Sequence, residues 1–173
     1  MQPATSNPKS YVCRRMQRLS LRPFRPADQC AAKALILAGL LEHWGTLDPT
    51  LNPDLDDIAT SYKDATFLVA CEDDRLACKG GRIIGTGVLK PRDTDAGEIV
   101  RMSVAGDMRR RGLGRRILDA LIADARDRGY ARIILETTQT WAGAIAFYQN
   151  AGFEITHHQN GDVYFVMELT PRP

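Results

Sequence analysis

Residues 109–114, Arg109-Arg110-Arg111-Gly112-Leu113-Gly114, bring three guanidinium groups and two glycines into one short stretch. The stretch follows an apolar run, Glu98 to Val104, and opens an amphipathic segment, Leu113 to Arg128. A strand that feeds an arginine-rich, glycine-containing turn at a helix start is suited to holding an anion. The first helical N–H groups have no internal partner and the helix dipole makes that end positive. Glycine lets the backbone approach a ligand closely. The order is R-x-x-G-x-G, which is not the dinucleotide fingerprint G-x-G-x-x-G, and no Gly-Lys-Ser/Thr follows as in a phosphate loop of the Walker type. The implied ligand is a phosphorylated small molecule. By themselves the arginines also suit a solvated face or a nucleic-acid patch.

The elements around this turn follow from periodicity and punctuation. Leu19 to Phe24 alternates as a first strand. A helix starts at Pro26-Ala27-Asp28 and runs to about His43, with Leu35, Ile36, Leu40 and Leu41 on one face. Residues 44–54 form a loop, and Asp54 to Tyr62 suits a second short helix with Leu55, Ile58 and Ala59 inward. Thr66 to Cys71, Arg82 to Leu89 and Glu98 to Val104 are strands. Leu113, Ile117, Leu118, Leu121, Ile122 and Ala125 recur at helical spacing, and Gly129 stops that helix. Ala131 to Glu136 is apolar on both faces, as a central or parallel strand is. A last helix covers about Ala142 to Ala151. Asn160-Gly161 then joins Phe153–His158 and Val163–Leu169 as a hairpin.

Composition bounds the partners. At 173 residues the chain reads as a polar tail, 1–17, followed by one domain, 18–173. A hydrophobic content of 44% and a net charge of +2 imply no bulk attraction to nucleic acid. No apolar run is long enough to span a membrane. Cys13, Cys30, Cys71 and Cys78 form no C-x-x-C pair, and the three histidines lack metal-site spacing. No metal, no nucleic acid and no membrane partner are therefore expected, and a reducing cytoplasm is the default compartment.

A second block, Ala144-x-x-Phe147-Tyr148-x-x-x-Gly152-Phe153, follows the first at a set distance. Together, the run Glu98 to Ala125 and this block resemble motif A and the A-x-x-L/F-Y-x-x-x-G-F signature of the GNAT superfamily of acyl-CoA-dependent N-acetyltransferases. The resemblance covers residues 83–169 closely and 19–82 more loosely. It implies an α+β fold in which a central, mostly antiparallel sheet carries one splayed parallel strand pair and is flanked by helices. It implies acetyl-CoA as cosubstrate, lying between the strands at 98–104 and 131–137. The backbones of Met102 and Val104 would pair with the pantetheine arm. The pyrophosphate would sit on the N–H groups of Arg110, Arg111, Gly112, Leu113 and Gly114, aided by Arg109 and Arg115.

The resemblance also implies the chemistry. Tyr148 would be the general acid that serves the leaving thiolate, and Glu98 the general base that takes a proton from a primary amine. Glu136 is a weaker alternative base. A primary amine is neutral in only about one molecule in 2,500 at pH 7, so attack on a thioester needs such a base. Two residues depart from the family pattern: Trp141 stands where many members have Asn, and Gly106 where they often have Pro. The segment from His43 to Asp48, with Asp54, Asp56 and Asp57, lies where the acceptor pocket is usually covered; its acidity suits a cationic amine, although the three later aspartates also suit helix caps and solvent. The acceptor is a small-molecule or peptide amine and the expected assembly a monomer or homodimer. The alternative reading is an acyl-CoA-binding sensor without turnover.

Overall fold

The computed structural model describes residues 18–48, 50–73 and 81–169. The tail expected over 1–17, Cys13 and Cys78 lie outside these residues. Seven strands form one sheet: β1 (Arg18–Pro23), β2 (Thr66–Asp73), β3 (Arg82–Pro91), β4 (Ala96–Val104), β5 (Arg132–Thr138), β6 (Glu154–Gln159) and β7 (Asp162–Glu168). Their order is β1-β2-β3-β4-β5-β7-β6, antiparallel throughout except for the parallel pair β4–β5. Among the described residues four helices flank the sheet: α1 (Gln29–Trp44), α2 (Ile58–Ser61), α3 (Leu113–Asp127) and α4 (Ala142–Asn150). The fold is the α+β architecture expected.

Alternation along the strands builds two cores, because successive side chains leave a strand on opposite faces. Leu68 and Ala70 of β2, with Ile84 and Leu89 of β3, join the α3 stripe and α4 in one cluster. Phe67, Val69 and Cys71, with Ile83 and Val88, meet Ala32 and Ile36 of α1 and Leu55 and Ile58 in the other. The α3 stripe of Leu113, Ile117, Leu118, Leu121, Ile122 and Ala125 is buried along its whole length. On α1 the buried residues are Ala32 and Ile36, whereas Leu41 is 46% exposed, because the last turn of this helix runs past the edge of the core. The helix expected over Asp54–Tyr62 is split into a 3₁₀ turn, Pro53–Leu55, and the four residues of α2. Leu55 and Ile58 are buried as expected, but Ala59 is exposed, since the break rotates it away from the sheet.

Two irregularities shape the middle of the sheet. Between Thr86↔Ser103 and Val88↔Val100 the β3–β4 register shifts, so that Arg101 and Met102 together oppose Gly87. Arg101 takes the positive φ of +54° at this bulge. Gly87 is required opposite it, because a Cβ there would come within 2.7 Å of Met102 Sδ and 2.6 Å of Ile117 Cγ2. A bulge of this kind bends the strand and ends regular pairing. Parallel pairing with β5 is confined to Ala96↔Arg132, Gly97↔Ile133 and Glu98↔Ile134. Past Glu98 the two strands separate, and the sheet forks.

Candidate active site

The fork opens into a cleft of about 950 Å³. Its walls are β4 from Glu98 to Val104, the α1 face of Ile36, Leu40 and Trp44, the turn before α3, the end of β5, and α4 with Ala144, Phe147 and Tyr148. Met102 and Val104 line it, and no described strand pairs with the β5-facing edge of β4 beyond Glu98. Such an unpaired edge is a template for an extended amide-bearing ligand. The Val104 carbonyl does have one partner, Arg109 Nε at 3.1 Å.

The turn at 109–114 is an amide cradle more than an arginine cluster. Arg110 (φ +59°) and Gly112 (φ +78°) both adopt left-handed backbone. The first bond of α3 runs from Arg116 N–H to the Gly112 carbonyl at 3.1 Å. Nothing among the described residues accepts from the N–H groups of residues 110–115, Arg110 through Arg115. These donors lie at the positive end of a 15-residue helix. Three of the arginine side chains have partners within the protein. Arg109 forms a bidentate pair with Glu42 of α1, at 2.6 and 2.7 Å, which holds the Glu42 carboxyl below its ordinary range. Arg111 lies against Met108 Sδ at 3.7 Å and is absent from the cleft wall, unlike Arg109, Arg110, Leu113, Gly114 and Arg115. Arg115 pairs with Asp119 one helical turn on, at 2.7 Å. Both of these ion pairs are exposed, so their net contribution is small and they can be exchanged for an incoming anion.

Gly112 gives a direct test of the cradle. A Cβ at this position would meet no atom within 4 Å, so only its backbone conformation penalises substitution. Gly112→Val is expected to cost about 1–2 kcal/mol of stability, the usual penalty for a left-handed non-glycine residue. Its branched side chain would crowd the turn that carries the unpaired N–H groups. Acetyl-CoA affinity, read by calorimetry, should fall at least about tenfold with the fold intact by circular dichroism. Unchanged affinity would mean that the cradle is not the binding site.

Glu98 sits on the last paired rung before the fork, and its carboxylate is 12% exposed. Lys90, directly opposite on β3, places Nζ 3.2 Å from Oε2, and Arg92 lies 3.5 Å away. Neither reaches hydrogen-bonding alignment, so buried Oε2 has charge partners without a formed hydrogen bond. Glu136 also lines the cleft, two residues beyond the last β4–β5 rung, and is exposed.

Tyr148 reaches the cleft from α4. Ala144, Phe147, Tyr148 and Ala151 share one helical face at i, i+3, i+4 and i+7, and all pack on the α3-side core. The Tyr148 ring meets Phe147, Phe153 and Phe165 at centroid distances of 5.2, 5.9 and 5.8 Å. Burial pushes its phenol well above the ordinary value. No described residue hydrogen-bonds its hydroxyl, which leaves the O–H able to serve a ligand.

Trp141, at the N-cap of α4, stacks on His43 at 4.3 Å and 8°. His43 Nε2 also lies 3.1 Å from Thr140 Oγ1. The end of α1 is thereby clasped to the β5–α4 connection, and both Trp44 and Trp141 line the cleft. The aspartates considered for a cationic acceptor are otherwise engaged: Asp57 caps α2 through Thr60 N–H at 3.0 Å, Asp56 pairs with Lys33 at 2.6 Å, and Asp54 binds Arg101. None of the three lines the cleft. The pairing of Lys90 with Glu98, the His43–Trp141 stack and the Arg101–Asp54 contact were all unforeseen, because each depends on register or on helix placement that no local pattern encodes.

The chain also resembles a known protein family and solved structures. Residues 31–153 match the family described as Acetyltransferase (GNAT) family. This chain belongs to the GNAT family. Members of that family use acetyl-CoA. N-acetyltransferase 8 of Rattus norvegicus is 31% identical over 121 residues, covering 65% of this GNAT chain and 51% of the relative. Uncharacterized N-acetyltransferase YsnE of Bacillus subtilis (strain 168) is 36% identical over 93 residues, covering 53% of this chain and 57% of the relative. The chain spans about half the length of the relatives it matches. Among solved structures, an acetyltransferase of the GNAT family from Staphylococcus aureus Mu50 superposes with a TM-score of 0.79 at 20% identity, covering 88% of this chain and 100% of that one. The PaiA N-acetyltransferase from Thermoplasma acidophilum, solved in complex with coenzyme A, gives 0.75 at 14% identity, covering 88% and 99%. At such identities these two establish the shared GNAT fold alone.

Among the described residues no group of His, Cys, Asp and Glu side chains is placed to hold a metal ion, and no helix is long and apolar enough to cross a membrane.

Proposed function

We propose that this GNAT chain moves an acetyl group from acetyl-CoA to a primary amine by direct attack. The observation that carries the reading is a single cleft in which an unpaired β4 edge, an amide cradle and two candidate proton-handling groups, Glu98 and Tyr148, face one space. The residues present fit the cosubstrate: the N–H groups of residues 110–115 suit its pyrophosphate, and the backbones of Met102 and Val104 suit the amides of its pantetheine arm. Acetyl-CoA supplies an acyl group held as a thioester.

The chain's own part is to prepare the amine and ease the departure of sulfur. Glu98, held at the fork by Lys90 and Arg92, takes a proton from the acceptor amine, directly or through water. Tyr148 donates its O–H to the developing thiolate. A thiol has an ordinary pKa near 8.5 and a phenol near 10, and burial raises this phenol further. Complete transfer from tyrosine to sulfur is therefore uphill. The useful act of Tyr148 is a hydrogen bond that strengthens as charge builds on sulfur, which is how differential transition-state binding raises a rate.

The test is a panel of small amines and peptides incubated with acetyl-CoA, read by release of free thiol. Turnover with one amine class is the expected result. Tight acetyl-CoA binding with no turnover on any amine would instead make the chain an acyl-CoA sensor.

A further inference from the structure

The β4 bulge carries a residue that its backbone does not favour. A bulge whose first residue is left-handed usually has glycine there, yet this position holds Arg101 at φ +54°. Its carbonyl accepts from the hydroxyl of Thr86, which is fully buried, at 2.9 Å. Its side chain turns away from the strand toward residues 52–62. Nε donates to Asp54 Oδ2 at 2.9 Å, Nη2 donates to Asp54 Oδ1, and Nη1 donates to Asn52 Oδ1 at 2.9 Å. The Tyr62 hydroxyl donates to Asp54 Oδ2 and lies 3.3 Å from Arg101 Nε. All three guanidinium nitrogens are engaged by the segment, and the Arg101 and Asp54 side chains are only 21% and 28% exposed. A bidentate, partly desolvated arginine–carboxylate pair fixes orientation as well as distance.

We infer that Arg101 is a positioning residue that, through Asp54, Asn52 and Tyr62, locks the 52–62 segment to the β4 bulge and so fixes the acceptor wall of the cleft. Arg101 and Tyr62 line the cleft beside Ile36, Leu40 and Trp44, whereas the amide cradle lies along residues 110–115. The guanidinium faces residues 52–62, and each of its three nitrogens donates to that segment, so its role is assigned there and not at the amide cradle. The segment's other ties run to α1 and the core, not to β4: Leu55 and Ile58 are buried, the Tyr62 ring lies on Phe67 at 5.5 Å, Asp56 pairs with Lys33 at 2.6 Å, and Gln29 donates to the Leu55 carbonyl at 2.8 Å and accepts from the Ile58 N–H at 2.9 Å. Without the clamp, Tyr62 and the wall around it would sample several positions, and an amine aimed at the fork would lose alignment. Such misplacement lowers rate out of proportion to the distance moved. The inference rests on the acetyltransferase reading for its kinetic consequence.

The decisive variants are Arg101→Gly, which suits the left-handed backbone and removes only the side chain, and Asp54→Asn, which keeps shape and removes charge. In both, the amides of residues 52–62 should exchange with solvent about tenfold faster or more, while those of α3 are unchanged. The kcat/KM for a good acceptor should fall about 10–100-fold, while the acetyl-CoA Kd stays within about threefold. Adding Asp54→Asn to Arg101→Gly should change little more, as expected for two partners in one contact. Unchanged exchange in 52–62, wild-type acceptor kinetics, or a parallel loss of acetyl-CoA affinity would each overturn the assignment. Wild-type protein that fails to turn over any amine would sink the acetyltransferase reading itself, whereas the exchange measurement reports on the clamp whatever the activity.

Discussion

Replacing Tyr148 with phenylalanine is expected to lower kcat about 10²–10⁴-fold, the usual range for loss of a positioned proton donor. The change removes one hydroxyl that no described residue bonds and keeps the ring among Phe147, Phe153 and Phe165. The melting temperature should therefore move little and acetyl-CoA affinity should persist. The pH dependence has a defined sign. Burial raises the folded pKa above the unfolded value near 10, so the phenol stays protonated throughout the range in which the protein can be assayed. The stability gained by keeping it neutral is complete below about pH 10 and is lost as pH climbs toward the folded value. Across roughly pH 6–9.5 the kcat/KM curves of wild type and Tyr148→Phe should thus run parallel, separated by a constant factor. Equal turnover by the two enzymes would show that water or another group serves the thiolate.

Glu98→Gln is expected to behave differently. The amide keeps the shape of the carboxylate at the fork but cannot take a proton, so neutral-pH kcat/KM should fall by about 10²–10⁴-fold. The defect should shrink as pH rises. At roughly pH 9.5–10 about a tenth or more of an ordinary amine is already neutral, and the need for a base is correspondingly smaller. A rate ratio that stays constant with pH would indicate a packing or acceptor-binding role. The substitution also removes the anion facing Lys90 and Arg92. Lys90→Met is the control for that change, because it removes a cation from the same cluster and leaves the carboxylate. If Glu98→Gln matches wild type at neutral pH, Glu136 becomes the candidate base, since it also lines the cleft. The two predictions are separable in one experiment: a gap independent of pH for Tyr148, and one that closes with pH for Glu98.

Much of the fold was legible in the chain because its signals are local. The α3 stripe at 113, 117, 118, 121, 122 and 125 is a helical period whatever surrounds it, and all six residues are buried. Asn160-Gly161, at φ +53° and +89°, makes the turn between β6 and β7 because those residue types tolerate that backbone. The two ordered blocks around Gly112 and Tyr148 pointed to the family that the 31–153 match establishes. Leu41 and Ala59 were misplaced because periodicity reports which face of a helix is apolar, not where the core ends or where a helix breaks. The site divides in the same way. Glycine at 112 and tyrosine at 148 could be singled out from residue type and spacing. Arg111 with Met108 and Arg115 with Asp119 are local contacts, three and four residues apart, whereas only tertiary structure brought Arg109 to Glu42 across 67 positions. It alone set Lys90 opposite Glu98, stacked His43 on Trp141 across 98 positions, and joined Arg101 to Asp54 across 47. Backbone conformation follows largely from the residue that adopts it, whereas a side chain's partner depends on strand register and helix docking, which the whole chain decides at once.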